Sequence, residues 1–486
     1  MDQEDALYTA FKAKDSRFDG RFFVGISSTG VYCRPICRAK LAKRSNCTFF
    51  SSAAEAEQAG YRPCLLCRPE LAPGNALVDA TSLLAQKAVR LLEESCAKGQ
   101  SLEELAAKLG CTSRHLRRVF LEKYRVTPVQ YLQTCRLLLA KNLLTDTDLS
   151  VLEVAMASGF GSLRRMNALF QKQYGLSPTR LRKRTPKEGR KTESITMMLG
   201  YRPPYCWEDI LAFLADRAIA GVEKVENGQY CRTARLTDRK GEPHTGWIQV
   251  ARHSKKNALK ITISDTLIPV LPQVLSRVRG IFDLYCDPDA VYEILHSMDE
   301  LQPGLCVRGR RLPGCFDPFE TSVRAILGQQ ISVKAASTLT GRMAQHLGGP
   351  VETGIEGLNR TFPTVEDIIT LGDTIQEYLG ALGITAARSA CIKTLAEALK
   401  QGKLQLNQSI PPEQEIKKLQ SIRGIGSWTA QYIAMRTLGW TDAFLETDAG
   451  VKHALPGYTS EELLALAERW RPWRSYAVMN LWFKRK

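Results

Sequence analysis

The stretch LQSIRGIGSWTA, from Leu419 to Ala430, decides the fold of the C-terminal part of this chain. Apolar residues at helical spacing precede a Gly-x-Gly turn, Gly424 and Gly426, and a second helical pattern follows it. Two helices joined by such a hairpin present backbone N–H groups that can bind a nucleic-acid phosphate. An aspartate, Asp448, lies 22 residues after Gly426. Its position predicts chemistry at the sugar and base beside that phosphate.

Two further segments extend this pattern. The sequence FETSVRAILGQQIS (Phe319–Ser332) lies upstream of the hairpin, and RPWRSYAVMNLW (Arg471–Trp482) lies downstream. From about Ile195 to the C-terminus the chain resembles the AlkA-type 3-methyladenine DNA glycosylase II, a helix-hairpin-helix enzyme of base excision. The resemblance implies that Asp448 is the catalytic carboxylate. Such an enzyme flips the target base out of the duplex and breaks its N-glycosidic bond.

The carboxylate has competing interpretations. Asp442 and Glu446 lie nearby, but Asp448 occupies the family's catalytic position. We expect Asp448 at a helix N-terminus, where partial positive charge stabilises a carboxylate. A residue that only caps the helix is the alternative. The resemblance also implies a base pocket of three aromatic side chains, each of which could instead be a core residue: Trp428, Tyr432 and Trp482.

The aromatic pocket predicts the type of reaction. Alkylated purines carry positive charge, and electron-rich rings attract cations. Trp428 stands where glycosylase–lyases of this family have a Schiff-base lysine, so we expect a monofunctional hydrolase without a cofactor. Gly424 and Gly426 are expected to contact DNA. Gln330 stands where AlkA-type enzymes have a leucine that fills the gap left by the flipped base, and it is a further candidate DNA contact.

Two cysteine pairs stand near the N-terminus, in VYCRPICRAK (Cys33, Cys37) and RPCLLCRPE (Cys64, Cys67). Four thiolates at this spacing predict one tetrahedral Zn²⁺. The spacing alone is compatible with a purely structural site. The segment resembles the N-terminal domain of the Ada methylation-response proteins, which implies that Cys33 is both a ligand and the acceptor of a methyl group from a DNA phosphotriester. The candidate phosphate contacts are Thr29, Lys40 and Arg62.

The middle of the chain contains a doubled helical unit. Its first copy includes RHLRRVFLEKY and closes with YRVTP (Tyr124–Pro128), and the second closes with YGLSP (Tyr174–Pro178). The doubled unit resembles the AraC-type DNA-binding domain, which places helices in successive major grooves. The candidate DNA contacts are the basic side chains of the second helix of each copy: Arg114, Arg117, Arg118, Arg164 and Arg165.

Composition and charge agree with a nucleic-acid partner. The 486 residues are 44% apolar and have a net charge of +17. Residues 1–190 contain 31 Lys and Arg against 18 Asp and Glu. Such a basic segment indicates a polyanionic partner. The chain begins with a polar stretch and has no long apolar run, so we expect no membrane contact and a location in the bacterial cytoplasm or nucleoid.

These observations predict a multidomain, mainly α protein with α+β parts: a small zinc domain, a double helix-turn-helix, a small β-rich subdomain and an all-α helix-hairpin-helix domain. The expected divisions are 1–74 (zinc-binding methyl acceptor), 75–184 (AraC-type), 185–194 (linker), 195–283 (β-rich) and 284–486 (glycosylase).

The predicted function is a response to DNA alkylation. The chain would accept methyl groups from DNA phosphotriesters, activate transcription and release alkylated bases such as 3-methyladenine. Its partners would be alkylated double-stranded DNA, promoter sites and RNA polymerase. One alternative is a transcription regulator whose glycosylase-like domain only binds DNA, and another is a repair enzyme whose N-terminal half only tethers it to DNA.

Overall fold

The computed structural model describes residues 3–73, 83–94, 101–182, 193–407 and 411–484. Helices dominate, and the strands form two separate sheets, so the predicted mainly α architecture with α+β parts is confirmed. Most of the expected linker at 185–194 lies outside the described residues. Within these ranges no helix combines the length and the apolar character needed to cross a membrane.

Residues 3–73 form a small four-stranded sheet with flanking helices. The elements are α1 (Gln3–Lys12), β1 (Phe23–Ile26), β2 (Val31–Cys33), β3 (Cys47–Phe50), α2 (Ala53–Gln58) and β4 (Arg62–Pro63). The strand order is β3-β1-β2-β4. Strand β1 is antiparallel to β2 and β3, whereas β2 and β4 are parallel. Because parallel strands end at the same edge, the chain that follows β2 meets the chain that follows β4.

The next segment contains the repeated helical unit. Its helices are α3 (Leu83–Glu94), α4 (Leu102–Lys108), α5 (Ser113–Tyr124), α6 (Pro128–Asp146), α7 (Val151–Ala157), α8 (Leu163–Tyr174) and α9 (Pro178–Leu181). Helices α5 and α8 both end at a left-handed residue, Arg125 and Gly175. Thr127 and Ser177 then cap the following helices, and a proline begins each. The matching closing sequences therefore build the same helix–turn–helix junction twice.

A five-stranded antiparallel sheet follows, in the order β5-β9-β8-β7-β6. The elements are β5 (Ser194–Gly200), α10 (Trp207–Asp216), β6 (Glu223–Glu226), β7 (Gln229–Thr237), β8 (Pro243–Arg252), β9 (Ala258–Ser264) and α11 (Leu271–Ile281). Its inner face shares one hydrophobic core with the second helical copy, since Met166 and Phe170 belong to the same cluster as Ile195 and Met197. The second copy is thus packed against the sheet.

The remaining chain is helical. The helices are α12 (Pro288–Leu295), α13 (Pro318–Leu327), α14 (Val333–Leu347), α15 (Val365–Thr370), α16 (Ile375–Ala381), α17 (Ala386–Lys400), α18 (Pro412–Gln420), α19 (Ser427–Thr437), α20 (Ala449–Ala454), α21 (Ser460–Ala467) and α22 (Arg474–Lys484). One core contains residues of α20–α22 and continues to the sheet, and a second contains residues of α13–α19. Tyr432 and Trp440 pack against both cores. Helix α19 therefore lies at the boundary between them.

Buried polar contacts join the N-terminal sheet to the rest of the chain. Glu57 accepts hydrogen bonds from Tyr32 (3.1 Å), Thr134 of α6 (3.0 Å) and Tyr174 of α8 (3.1 Å). Burial raises the pKa of Glu57 to about 7. Arg21 forms an ion pair with Asp287, which caps α12. The N-terminal unit is therefore held against both later parts of the chain by specific side chains.

Candidate functional site

Four cysteines converge at the edge where β2 and β4 end. Their sulfur atoms all lie within 4.8 Å of one another, and three of the side chains are buried. Parallel pairing of the two strands brings the cysteine pairs together, and the Cys64 amide donates to the Tyr32 carbonyl at 3.0 Å. Zn–S bonds of about 2.3 Å place tetrahedral sulfurs about 3.8 Å apart. The all-sulfur donor set of Cys33, Cys37, Cys64 and Cys67 therefore fits Zn²⁺.

The residue after Cys33 is tied to this cluster. The amide of Arg34 donates to the Cys67 sulfur at 3.4 Å, and its guanidinium donates to the Cys67 carbonyl at 3.2 Å. The same guanidinium forms a buried ion pair with Asp19. Hydrogen bonds with the other sulfurs, mainly with that of Cys37, raise the pKa of Cys33. Hydrogen bonds with the other sulfurs, mainly with that of Cys33, lower the pKa of Cys64. Thiols this close together share their protons unequally, and a bound cation would take the place of those protons.

The predicted DNA contacts of the first two segments lie at the surface. The side chains of Leu116 and Phe120 point into the core of the first helical copy, and Met166 and Phe170 do so in the second. This burial leaves the basic residues of α5 and α8 outside. The exposed candidates are Thr29, Lys40, Arg62, Arg114, Arg117, Arg118, Arg164 and Arg165.

The Gly-x-Gly turn connects α18 to α19. Gly424 has a φ of +99°, and a Cβ there would lie 3.2 Å from the sulfur of Cys391. A side chain would therefore be strained and crowded at this position. Gly426 is the N-cap residue of α19, and both glycines are exposed. The predicted helix-hairpin-helix thus leaves its turn accessible to a phosphate.

The loop between α13 and α14 lies beside this hairpin. Gln329 donates to the Gly424 carbonyl at 2.8 Å and to the Thr429 hydroxyl at 2.9 Å. Its neighbour Gln330 is exposed and has a φ of +58°, which is uncommon for a residue other than glycine. Arg388 donates to the Gln329 carbonyl. Sequence reasoning selected Gln330 but missed Gln329, which connects the loop to the hairpin.

Asp448 lies at the N-terminus of α20, where a helix start is expected from the sequence. Its Oδ1 accepts from the amides of Gly450 (2.8 Å) and Val451 (3.0 Å). The indole N–H of Trp482 also donates to Oδ1, at 2.8 Å, and that of Trp428 donates to Oδ2, at 3.0 Å. A helix cap needs only the two backbone bonds. The indole donors orient the carboxylate toward the aromatic residues.

The neighbouring acids have other surroundings. Asp442 pairs with Arg471 and with Arg474, whose Nε lies 2.7 Å from its Oδ1. Glu446 is partly exposed, and the indole N–H groups of Trp428 and Trp482 donate to Asp448 instead. Among the described acidic residues, it is Asp448 that accepts hydrogen bonds from Trp428 and Trp482.

The three predicted pocket aromatics meet one another. The rings of Trp428 and Tyr432 are stacked, with centroids 5.3 Å apart and planes at 10°. Tyr432 and Trp482 have centroids 6.3 Å apart. All three side chains are half-buried and lie next to the boundary between the two cores. The structure therefore brings together Asp448 and the aromatic set from three separate helices.

Sequence reasoning missed three members of this cluster. Phe213 of α10 stacks on Trp482, with centroids 6.1 Å apart and planes at 17°. Arg217 follows α10 and lies over both rings. Arg436 donates to the Tyr432 hydroxyl at 2.8 Å. Phe213 and Arg217 have no local motif, because α10 reaches the pocket only through tertiary packing.

Tyr432 has a shifted pKa. Burial raises the pKa of its phenol, but nearby guanidinium groups, with that of Arg436 first and those of Arg217 and Arg324 next, outweigh burial and lower it. Positive charge therefore lies beside Tyr432, while Asp448 lies beside Trp428 and Trp482.

Family models and relatives match the same segments. A model of the metal binding domain of Ada matches residues 6–70, a helix-turn-helix domain matches 105–184, and the AlkA N-terminal domain matches 196–317. The DNA-3-methyladenine glycosylase 2 of Escherichia coli is 39% identical over 59% of this chain and 96% of its own length. The bifunctional transcriptional activator/DNA repair enzyme Ada of Escherichia coli is 37% identical over 27% of this chain and 36% of its own length.

One relative spans the whole arrangement. The probable bifunctional transcriptional activator/DNA repair enzyme AlkA of Mycobacterium tuberculosis is 33% identical over 99% of this chain and 96% of its own length. The identity therefore covers the cysteine cluster, the doubled helical unit and the helix-hairpin-helix in one continuous order. The chain belongs to the family of bifunctional transcriptional activator/DNA repair enzymes of the AlkA type.

Proposed function

We infer that this protein senses DNA alkylation, activates transcription and hydrolyses the N-glycosidic bond of alkylated bases such as 3-methyladenine. The observation that carries the hydrolase activity is the carboxylate of Asp448, held by two indole N–H groups beside an aromatic pocket. Because it follows a helix-hairpin-helix, it would lie within reach of a flipped nucleotide.

Asp448 is the proposed catalytic residue. Cleavage of the N-glycosidic bond leaves positive charge on the sugar, and a fixed carboxylate stabilises that charge electrostatically. Because four N–H groups already orient the two carboxylate oxygens, little rearrangement is needed during the reaction. Water then adds to the sugar. Tryptophan, not lysine, occupies position 428, so a Schiff base cannot form there. We therefore propose hydrolysis without a covalent intermediate and without a cofactor.

The DNA contacts of this half follow from its exposed backbone. Amides near Gly424 and Gly426 would bind a phosphate beside the flipped nucleotide. Gln330, exposed at the apex of the neighbouring loop, would enter the duplex where the base has left. Trp428, Tyr432 and Trp482 would stack on the base.

Cys33 is the proposed methyl acceptor. When bound, Zn²⁺ keeps the four sulfurs deprotonated. The Cys33 thiolate attacks the methyl carbon of a phosphotriester, and the phosphate oxygen leaves as an ordinary phosphodiester. We propose one zinc ion per chain, with Cys37, Cys64 and Cys67 as the other ligands. Thr29, Lys40 and Arg62 would contact the neighbouring phosphates.

Methylation of Cys33 would link the detection of DNA damage to the activation of transcription. It lowers the negative charge of the zinc site by one, which weakens its repulsion from DNA phosphates. The basic side chains of α5 and α8, from Arg114 to Arg165, would then bind a promoter in two successive grooves. RNA polymerase is the proposed partner there, and the bacterial cytoplasm or nucleoid is the proposed location. We propose that residues 1–74, 75–184, 195–283 and 284–486 are the functional units of the chain.

Base release from alkylated duplex DNA tests the hydrolase proposal. Asp448→Asn should bind DNA like wild type but release bases about 10²–10³ times more slowly, because it keeps the shape and loses the charge. Glu446→Gln is the matched control and should keep wild-type rates. Full activity of Asp448→Asn, or a protein–DNA adduct trapped by borohydride, would contradict the mechanism. A wild type that binds without releasing bases would favour a purely regulatory protein.

A further inference from the structure

Arg217 places a positive charge on the aromatic wall of the base pocket. Its guanidinium carbon lies 3.8 Å from the ring centroid of Phe213 and 5.9 Å from that of Trp482. Arg436 approaches the same Phe213 ring at 4.8 Å and Tyr432 at 5.6 Å. The electron-rich faces that would attract a cationic base are therefore already partly used by the protein's own cations.

These two arginines are held differently from their deeper neighbours, although Asp216 attracts the charge of Arg217. Two deeper arginines pair with carboxylates: Arg232 lies 2.7 Å from Glu320, and Arg324 lies 3.0 Å from Glu223. Arg436 instead donates to neutral oxygens, the carbonyls of residues 313 and 314 and the Tyr432 hydroxyl.

Arg217 also has donors to offer. Among the described residues, its guanidinium donates a hydrogen bond to the Phe213 carbonyl, at 3.3 Å. A guanidinium has five N–H donors, so most of them remain available. The side chain is half-buried at the end of α10, next to Trp482. It can therefore meet a base that stacks in this pocket.

We propose that Arg217 determines specificity by opposing positively charged bases and by donating hydrogen bonds to neutral bases with an exposed carbonyl oxygen. This inference rests on the proposed base-release activity. Like charges in a partly buried site repel strongly, and a buried donor favours a base that carries an acceptor. Trp428, which has no guanidinium over its ring among the described residues, remains the surface that attracts cationic bases.

Single-turnover base release by the full-length protein tests this role. One duplex contains a single 7-methylguanine, which is cationic, and the other a single hypoxanthine, which is neutral. Both bases carry a carbonyl oxygen at C6, so their rate ratio reports the charge of Arg217, and the rate on hypoxanthine alone reports its hydrogen bond. Arg217→Gln should raise the 7-methylguanine to hypoxanthine rate ratio about tenfold. Arg217→Lys, which keeps the charge, should stay closer to the wild-type ratio. Arg235→Gln removes a charge from a partly exposed ion pair with Asp367 and should leave the ratio unchanged.

The outcomes separate the two proposals. An unchanged ratio in Arg217→Gln, or the same change in Arg217→Lys, would overturn the role of the guanidinium charge. A wild type that releases neither base would instead contradict the base-release activity itself. Arg217→Met keeps the packing over Phe213 and serves if the glutamine variant does not fold. Its ratio should rise like that of Arg217→Gln, and a wild-type ratio would count against the proposal.

Discussion

The cysteine cluster and the base pocket are built in opposite ways. The cluster takes four identical side chains from two short motifs within residues 33–67, and all four sulfurs lie within 4.8 Å. The pocket takes different side chains from α10, α19, α20 and α22, which span residues 213–482. A metal site is specified by the identity of its ligands, whereas a pocket is specified by shape. Local sequence spacing therefore reveals the whole cysteine cluster, but it reveals only a part of the base pocket.

The two regions also differ in what supports them. The cluster lies in a unit with a small core, to which its own cysteines contribute. The pocket lies where two large cores meet. We therefore expect loss of a metal ligand to unfold its unit, and loss of a pocket side chain to change the reaction while the fold persists.

Cys64→Ala should give the largest effect. Binding free energy of a structural zinc is folding free energy, on the order of 10 kcal/mol, so residues 3–73 should lose both the metal and their fold. Metal analysis and limited proteolysis would measure this. Cys47→Ala is the matched control, since Cys47 is buried in the same core but lies outside the cluster. A folded variant that retains zinc would contradict the assignment.

Glu57 should give the next largest effect, as a pH dependence. Burial raises the pKa of this carboxyl from 4.5 to about 7. An acid with a raised pKa in the folded state stabilises the fold below its unfolded pKa, and that contribution is lost as the pH rises through 7. The loss is at most about 3 kcal/mol.

This contribution can be measured by urea unfolding of wild type and Glu57→Gln. The pH should be varied from about 5.5 to 8, on both sides of the raised pKa. Wild type should lose stability relative to Glu57→Gln as the pH rises. Parallel pH profiles for the two proteins would show that Glu57 does not titrate in this window.

Trp482→Phe should give a smaller and more specific effect. An aromatic ring remains at this position, but the indole N–H that donates to Asp448 at 2.8 Å is lost. A hydrogen bond to a charged group is worth about 1.5–3 kcal/mol, so the single-turnover rate should fall at least about tenfold. DNA affinity and thermal stability should change little. Trp440→Phe, at the boundary of the same cores, should keep the rate. An equal loss in both variants would indicate packing alone.

Gln329→Ala should give the smallest effect. It removes the bonds to the Gly424 carbonyl and the Thr429 hydroxyl and so loosens the loop beside the hairpin. Loss of about 1 kcal/mol corresponds to roughly fivefold weaker DNA binding, with the rate on bound DNA nearly unchanged. Fluorescence anisotropy would measure the affinity. Gln330→Ala should instead slow base release more than it weakens DNA binding. If Gln329→Ala slowed base release and Gln330→Ala weakened binding, the roles assigned to the two residues would have to be exchanged.

The motifs were predictable because their chemistry is local. The spacing of Cys33, Cys37, Cys64 and Cys67 specifies a tetrahedral donor set without reference to the rest of the chain. Gly424 is required in the turn because its φ is +99°. The closing sequences of α5 and α8 likewise build their junctions from neighbouring residues alone.

The sequence by itself determined the order of the segments, the cysteine cluster, the hairpin and the position of Asp448. Only the tertiary structure decided that Phe213 and Arg217 join the pocket, that two indoles hold Asp448, and that the second helical copy shares a core with the sheet. The physical reason is the range of the interactions. Metal ligation, capping and turns depend on nearby residues, whereas stacking and burial depend on which distant helices pack together.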